Sequence, residues 1–180
     1  MSHNWKFKQL TDNEIKLGQL NREINNLIVR YSDPMNIEAD ATLITDYIWL
    51  GNWRAAHNSS FITEEKIKYI INATTDVPNK FPFVTCTTFA INDERACYKN
   101  LLPMMNNGAD IINKAVQEKQ QILVHCKRGH HRSASIVAFY LMKYRNMSLA
   151  KAIIFIKSVR PTAFSRMTCM LETLIQFSAH

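Results

Sequence analysis

The sequence predicts an α/β fold in which a central, mostly parallel sheet of four to five strands is flanked by helices, with an extra helix at the N-terminus. Strand-like segments alternate with segments whose apolar residues recur at helical spacing, a pattern typical of α/β domains. Ile122, Leu123 and Val124 form the centre of one short strand. A strand that is apolar on both faces is typical of a buried parallel sheet, and 180 residues favour one such domain.

The first predicted element is a helix over residues 11–31. Thr11 and Glu14 fit a capping box, in which each side chain accepts a hydrogen bond from the other's backbone N–H. Apolar residues at three- and four-residue spacing then form one stripe: Leu17, Leu20, Ile24, Leu27, Ile28 and Tyr31. Either the domain's own core or a second copy of the chain covers this stripe, so a homodimer through the N-terminal helix is one hypothesis. We assign residues 1–40 to a helical extension and residues 41–180 to the main domain.

The main domain is predicted to hold four strands and five helices. Segments rich in β-branched and aromatic residues predict strands over residues 42–50, 67–72, 83–90 and 121–125. Helical patterns cover residues 53–57, 97–119, 133–144, 149–158 and 162–177. Pro103 is tolerable only near the start of its helix, and Arg160 with Pro161 separates the last two helices.

Composition limits the environment of the chain. No segment approaches the roughly 18 consecutive apolar residues of a membrane span. The N-terminus, MSHNWKFKQLTDNE, lacks the apolar core of a signal peptide, so we expect a cytoplasmic protein. The four cysteines show no CxxC spacing, and without an export signal they are expected to be reduced thiols: Cys86, Cys97, Cys126 and Cys169.

Positive charge is concentrated at the C-terminal end of the chain. The net charge is +7, and residues 121–180 hold nine basic residues with Glu172 as their one acidic residue. A one-sided field of this kind attracts anions. It is also compatible with solubility alone, or with affinity for nucleic acid without a specific motif.

The basic region begins with the stretch VHCKRGHHRS at residues 124–133, which joins a buried strand to a helix. Ligands of open α/β sheets sit at such junctions, where backbone N–H groups and a helix N-terminus attract an oxyanion. A helix N-terminus and adjacent cations lower a cysteine pKa to about 3.5–7.5, so Cys126 is predicted to be a thiolate nucleophile. The other three cysteines are predicted to be small buried residues.

Three neighbours of Cys126 complete the predicted site. Arg132 lies six residues later, and its guanidinium matches two phosphate oxygens at once in a way that lysine does not. Gly129 supplies the backbone angles that a tight loop needs. Ser133 opens the helix and is placed to donate a hydroxyl hydrogen bond to the sulfur.

A metal centre is the competing interpretation of the same stretch. His125 and Cys126 are adjacent at a strand end and point to opposite faces of the sheet. His130 and His131 are also adjacent, and the remaining histidines are scattered. We therefore expect no metal ion and no cofactor.

The pattern His125-Cys126-x5-Arg132-Ser133 resembles HCxxGxxR[ST], the signature of the cysteine-dependent protein tyrosine phosphatases, and the compact chain is similar to their dual-specificity branch. Further segments are similar to that family: YIWLGN at 47–52, IINAT at 70–74, AFYLM at 138–142 and VRP at 159–161. The resemblance covers roughly residues 41–177. It implies a protein tyrosine phosphatase-like fold and makes residues 41–180 a dual-specificity phosphatase catalytic domain.

The resemblance also implies an activity and a set of roles. Members hydrolyse phosphotyrosine and phosphoserine or phosphothreonine in proteins through a phosphocysteine intermediate. Their phosphate-binding loop corresponds here to Lys127, Arg128, Gly129, His130, His131 and Arg132. His125 is expected to orient Cys126 through a backbone hydrogen bond.

The family takes its general acid from an aspartate on a loop upstream of the cysteine. Asp93 is the natural match, because it follows the predicted strand over residues 83–90. Glu94 is the neighbouring alternative. Asp110 is a weaker candidate because it falls inside a predicted helix.

The sequence departs from the family in two places. Dual-specificity enzymes often carry an asparagine after the RP turn, but residues 162–165 read TAFS, so a hydrogen bond that braces the loop should come from elsewhere. Lys127 is shared with lipid-directed relatives, whose signature reads HCKxGKxR. His130 of this chain stands where that signature has its second lysine. RNA 5′ ends and phosphoinositides are therefore alternative substrates, although Ser133 stands where those branches usually have threonine.

Two further hypotheses remain open. A phosphate-binding pseudophosphatase is a third interpretation, against which the presence of Cys126, Arg132 and a candidate acid argues. A reversible disulfide between Cys86 and Cys126 is possible if their strands are neighbours.

Overall fold

The computed structural model describes residues 11–31, 39–91 and 101–178, and their centre is a five-stranded sheet of order β1-β2-β5-β3-β4. The strands are β1 (Ala41–Thr45), β2 (Ile48–Gly51), β3 (Ile67–Asn72), β4 (Thr85–Thr88) and β5 (Gln121–His125). Only β1 runs antiparallel to its neighbour; β2, β5, β3 and β4 are parallel. The predicted α/β fold with a mostly parallel sheet is confirmed.

Three parallel strands end together at one edge of the sheet. Gly51 of β2 and Asn72 of β3 are both in register with His125, the last residue of β5. The chain segments that follow these strands therefore meet at this edge, which is where the VHCKRGHHRS stretch leaves the sheet.

The two faces of the sheet are covered unequally. The helices are α1 (Asp12–Arg30), α2 (Trp53–His57), α3 (Ser59–Glu64), α4 (Leu101–Gln117), α5 (Arg132–Arg145), α6 (Leu149–Val159) and α7 (Cys169–Ser178). Residues of α1 and α4–α7 form the larger core, and α2 and α3 contribute to a smaller one. In α5, every residue from Arg132 to Leu141 is buried, so the helix after the loop is fixed on all sides. None of the helices within the described ranges is long and apolar enough to span a membrane.

The N-terminal helix α1 packs on the chain's own core. Its capping box between Thr11 and Glu14 is present as predicted. Ile24 and Ile28 are fully buried in the larger core, where α1 lies against α6 and α7. The chain itself therefore covers the inner part of the apolar stripe. The homodimer and the boundary after residue 40 stay predictions.

Three predicted elements have different bounds in the structure. The strand predicted over residues 42–50 is a hairpin, because Asp46 and Tyr47 form a turn between β1 and β2, and aspartate favours turns. The helix α3 was not predicted; the Asn58 side chain caps it by accepting from Phe61 N. The strand predicted over residues 83–90 is limited to β4, because a backbone hydrogen bond from Val84 to Phe81 forms a turn before it.

The last helix begins later than predicted. Residues 162–168 were expected to be helical, but α7 starts at Cys169. Phe164 has φ +53°, a left-handed conformation that the interior of an α-helix excludes. The start predicted for α4 at residues 97–100 lies outside the described residues.

One cysteine differs from the sequence prediction. Cys169 is disulfide-bonded rather than reduced, while Cys86 and Cys126 are free thiols. Spacing along the sequence did not reveal this bond because disulfide partners are neighbours in space rather than in sequence. Cys97 lies outside the described residues.

Candidate active site

The VHCKRGHHRS loop closes on itself between β5 and α5. The Cys126 N–H donates to Gly51 O at 3.4 Å, and Trp53 N donates to Lys127 O at 3.4 Å, so the segment after β2 holds the start of the loop. His131 is the N-cap of α5 and makes no side-chain cap. The first N–H groups of this helix are therefore not capped by that side chain and reinforce the positive potential of the loop.

The surroundings of the Cys126 sulfur favour its thiolate form. Its Sγ accepts hydrogen bonds from Gly129 N at 3.2 Å and from Ser133 Oγ at 3.3 Å, the second of which was predicted from the sequence. Burial of the thiol alone would raise its pKa. The hydrogen bonds from the Ser133 hydroxyl and backbone, the charge of Arg132 and the Gly129 N–H outweigh burial, so the pKa of Cys126 is lowered.

A cavity of about 380 Å³ opens above this sulfur. It is lined by four cationic side chains, two imidazole rings, the thiol and one hydroxyl: Lys127, Arg128, Arg132 and Arg166, His130 and His131, Cys126, and Ser165. The structure thus brings together around one cavity five of the six residues predicted to bind phosphate, all except Gly129. Ser165 and Arg166 were not predicted, because they lie on a turn that was expected to be helical.

One nitrogen of the Arg132 guanidinium is fixed by a hydrogen bond to the backbone. Its Nη1 donates to Ile91 O at 2.9 Å, and the residue is only 8% exposed. Its Nε is buried and has no hydrogen-bond partner within the described part of the chain. A buried donor without a partner is costly, so an oxyanion in the cavity would satisfy this group.

Gly129 provides the tight turn of the loop. Its φ is +75°, and a Cβ at this position would lie 2.6 Å from Gly51 O. Its carbonyl accepts from Arg160 Nε at 3.1 Å. The loop therefore fits between β2 and Arg160 only because residue 129 has no side chain.

Replacing Gly129 by alanine should lower kcat/KM by about 10²-fold, the cost of misplacing a catalytic group by about 1 Å. The same substitution should destabilise the fold by about 1–3 kcal/mol through backbone strain. Gly18→Ala is the matched control: its Cβ would meet only Arg22 Nη1 at 3.9 Å. That control should stabilise α1 slightly and leave the rate unchanged, as measured by urea unfolding and initial rates. Full activity in Gly129→Ala would contradict the role of this turn.

His125 is a neutral, buried residue behind the nucleophile. It is 1% exposed, and burial lowers its pKa to about 4 against the opposing effect of the adjacent Cys126 backbone. Its Nδ1 is buried without a hydrogen-bond partner among the described residues, so the expected role of His125 in orienting Cys126 stays a prediction. The His125 carbonyl accepts from Ala73 N at 2.9 Å, which ties the end of β5 to the segment after β3.

The brace that the missing asparagine would supply comes from a buried lysine. Lys157 is 2% exposed, and its Nζ donates to Pro161 O at 2.9 Å and Ala163 O at 2.6 Å. Burial lowers the pKa of Lys157 to about 8. The turn that it holds donates from Phe164 N to His130 O at 2.8 Å, so it supports the loop from outside.

Two more contacts join this turn to the loop. His131 Nε2 lies 3.0 Å from Ser165 Oγ. Arg160, 1% exposed, adds Nη1 bonds to Ala39 O at 3.1 Å and Thr42 Oγ1 at 2.9 Å to its bond with Gly129. In the sequence, Arg160 is visible only as part of the RP turn and Lys157 only as a lysine on the buried face of α6. Neither signal indicated which atoms these two side chains contact.

The structure describes one of the three candidates for the general acid. Asp93 and Glu94 lie outside the described residues. Asp110 lies in α4, where the hydrogen bonds that it accepts from Lys143 and Tyr144 lower its pKa. A general acid requires a proton at neutral pH, so Asp110 is unsuited to the role.

The geometry does not support a disulfide between Cys86 and Cys126. Cys86 lies on β4, and β3 separates that strand from β5. Two strand spacings are about 10 Å, whereas a disulfide needs a Cα separation of about 4.4–6.8 Å. The two thiols also belong to different cores. Across residues 11–31, 39–91 and 101–178, no group of three metal-ligating side chains comes together.

Comparison with known proteins identifies relatives along most of the chain. The family model "Dual specificity phosphatase, catalytic domain" matches residues 48–180. Human dual specificity protein phosphatase 8 is 36% identical over 124 residues, which are 67% of this chain and 19% of the relative. Arabidopsis thaliana dual specificity protein phosphatase 1 is 31% identical over 144 residues, 76% of this chain and 71% of the relative. The chain thus spans about a fifth of the human relative and most of the plant one.

A solved structure shows the same fold. The crystal structure of human DUSP28 superimposes with a TM-score of 0.70 at 25% identity and covers 79% of this chain and 94% of that chain.

Proposed function

Because this chain belongs to the dual specificity phosphatase family, we propose that it hydrolyses phosphotyrosine and phosphoserine or phosphothreonine in proteins through a phosphocysteine intermediate. One observation supports this most directly. The Cys126 sulfur accepts two hydrogen bonds at the base of a cationic cavity that a buried arginine also lines. A cavity of this kind binds a phosphate monoester with its phosphorus above the nucleophile.

The first step forms a sulfur–phosphorus bond and breaks the bond between phosphorus and the ester oxygen. The Cys126 thiolate attacks in line. The backbone N–H groups of the loop and the Arg132 guanidinium bind the equatorial oxygens, and these donors are already in place before the charge moves. Asp93 donates its proton to the departing alcohol or phenol.

The second step returns the enzyme to its starting state. Asp93, now a carboxylate, takes a proton from water as the water oxygen attacks phosphorus. The sulfur–phosphorus bond breaks, inorganic phosphate leaves and Cys126 is again a thiolate. Ser133 Oγ, 3.3 Å from the sulfur, stabilises the thiolate as it departs.

Phosphorylated proteins are the proposed partners, and a cytoplasmic location and a homodimer through α1 remain part of the proposal. RNA 5′ ends and phosphoinositides form the second candidate class. The basic lining contributed by Lys127, Arg128 and Arg166 favours strongly anionic substrates.

A substrate panel tests the proposal. Initial rates are compared on phosphotyrosyl and phosphothreonyl peptides, a phosphoinositide and a 5′-triphosphorylated RNA. Phosphopeptides should give the highest kcat/KM. A strong preference for RNA or lipid would replace the protein phosphatase assignment. A protein that binds phosphopeptides but hydrolyses none of the four would be a pseudophosphatase.

Replacing Asp93 by asparagine should lower kcat/KM on phosphopeptides by about 10²–10⁴-fold, the usual contribution of general acid–base catalysis. The loss on an aryl phosphate with an acidic phenol should be much smaller, because that leaving group departs without a proton. Glu94→Gln is the matched control and should retain nearly full activity. Equal losses on both substrates, or a larger effect at Glu94, would remove Asp93 from the role of acid.

A further inference from the structure

The mouth of the cavity carries an ion pair that the mechanism does not use. Lys127 Nζ lies 2.7 Å from Asp76 Oδ2, and the two side chains are 49% and 56% exposed. Lys127 lines the cavity above Cys126. A cation at the mouth of the cavity, which could otherwise bind a second phosphate, is therefore already paired with a carboxylate.

A rigid turn presents that carboxylate. Asn72, the last residue of β3, accepts at Oδ1 from Thr74 N at 3.1 Å and Thr74 Oγ1 at 2.7 Å. The Asn72 Nδ2 donates to Val77 O at 2.7 Å, and Val77 N donates to Thr74 Oγ1 at 3.2 Å. Asn72 and Thr74 are each 1% exposed. These four bonds fix both ends of the turn around Asp76, while β3 sets its place beside the loop.

Asp76 carries a negative charge where it contacts Lys127. The hydrogen bond from Lys127 lowers the pKa of Asp76, and the charge of Arg132 contributes in the same direction. Asp76 is therefore ionised at neutral pH. Its carboxylate therefore competes with an anionic substrate group for the Lys127 ammonium, which it contacts at 2.7 Å.

We propose that Asp76 is a specificity residue, which holds Lys127 away from a second phosphate so that the pocket selects substrates with one phosphate monoester over substrates with clustered phosphates. This inference rests on the proposed function and names the substrate class of the same site. An exposed ion pair contributes only about 0–1 kcal/mol to stability, so a structural role alone would leave selectivity unchanged.

Two peptides of one sequence test the inference. One carries phosphotyrosine alone, and the other carries phosphotyrosine next to phosphoserine. For each peptide, kcat/KM is measured for removal of the tyrosine phosphate, and the value for the doubly phosphorylated peptide is divided by that for the singly phosphorylated one. In Asp76→Asn this ratio should rise by about three- to tenfold, as expected for one charge near a surface site. In Lys127→Met the ratio should fall, and adding Asp76→Asn to that variant should restore little of it, because the two residues act through one contact.

Asp110→Asn is the matched control, since it removes another exposed lysine–aspartate pair at the far end of α5. It should leave the ratio unchanged. An unchanged ratio in Asp76→Asn, or the same rise with and without Lys127, would overturn the inference. Selectivity is also measured without turnover by adding Cys126→Ser to the wild type and to each variant. The ratio of the dissociation constants of the two peptides is then compared among these proteins. A wild type that hydrolyses neither peptide would contradict the proposed function alone.

Discussion

Cys126→Ser should abolish turnover on every substrate that the wild type hydrolyses, with a loss of at least about 10⁴-fold in kcat, as is usual for loss of a covalent nucleophile. A serine hydroxyl is a poor nucleophile without a general base. The contacts that lower the pKa of Cys126 are donors and positive charge, and none of them accepts a proton from serine. The variant should still bind phosphopeptides, because the loop amides and Arg132 are unchanged. Initial rates and peptide binding by calorimetry measure the two effects.

The second free thiol provides the control for this prediction. Cys86→Ser should retain activity, since Cys86 lies on β4, away from the cavity. Burial raises the pKa of Cys86, whereas the pKa of Cys126 is lowered. Iodoacetate at neutral pH should therefore alkylate Cys126 faster, and this reactivity should be lost only as the pH falls through the lowered pKa. Residual turnover in Cys126→Ser near the wild-type rate would contradict the phosphocysteine route.

The sequence was most informative where local chemistry determines structure. The loop from Cys126 to Ser133 was predictable because a short buried strand, a glycine and a helix start are all local signals. The predicted bond from Ser133 to the sulfur is present at 3.3 Å. The sheet followed from apolar segments such as β3 and β5, whose bounds agree with the prediction.

Contacts between distant parts of the chain were not predictable from one sequence. Lys157 supports the active-site loop only because the turn after α6 folds back onto its Nζ. That turn depends on the left-handed Phe164, a conformation for which phenylalanine gives no sequence signal. Asp76 and Lys127 are 51 positions apart and meet because β3 and β5 are neighbours in register. Strand order, rather than residue type, determines such pairs.

The substitution Arg132→Lys separates charge from geometry at the phosphate site. It should lower kcat/KM by about 10³-fold, in the lower part of the range for arginines that stabilise a transferring phosphoryl group. Lysine keeps the positive charge but has no Nε–H and no planar fork. In the wild type, Nη1 bonds to Ile91 O while the buried Nε has no partner among the described residues. A lysine ammonium cannot bond to that carbonyl and hold two phosphate oxygens in the same arrangement.

Two measurements distinguish this loss from unfolding or from a change in the nucleophile. The retained charge should keep the pKa of Cys126 low, so iodoacetate should alkylate Arg132→Lys about as fast as the wild type while kcat falls. Arg145→Lys, at the opposite end of α5, should leave kcat/KM within about twofold, since surface substitutions have small effects. If Arg132→Lys kept full activity, positive charge alone would be sufficient. A bidentate guanidinium would then have no part in the transition state, and the cavity would act as an electrostatic trap rather than as a fixed set of hydrogen-bond donors.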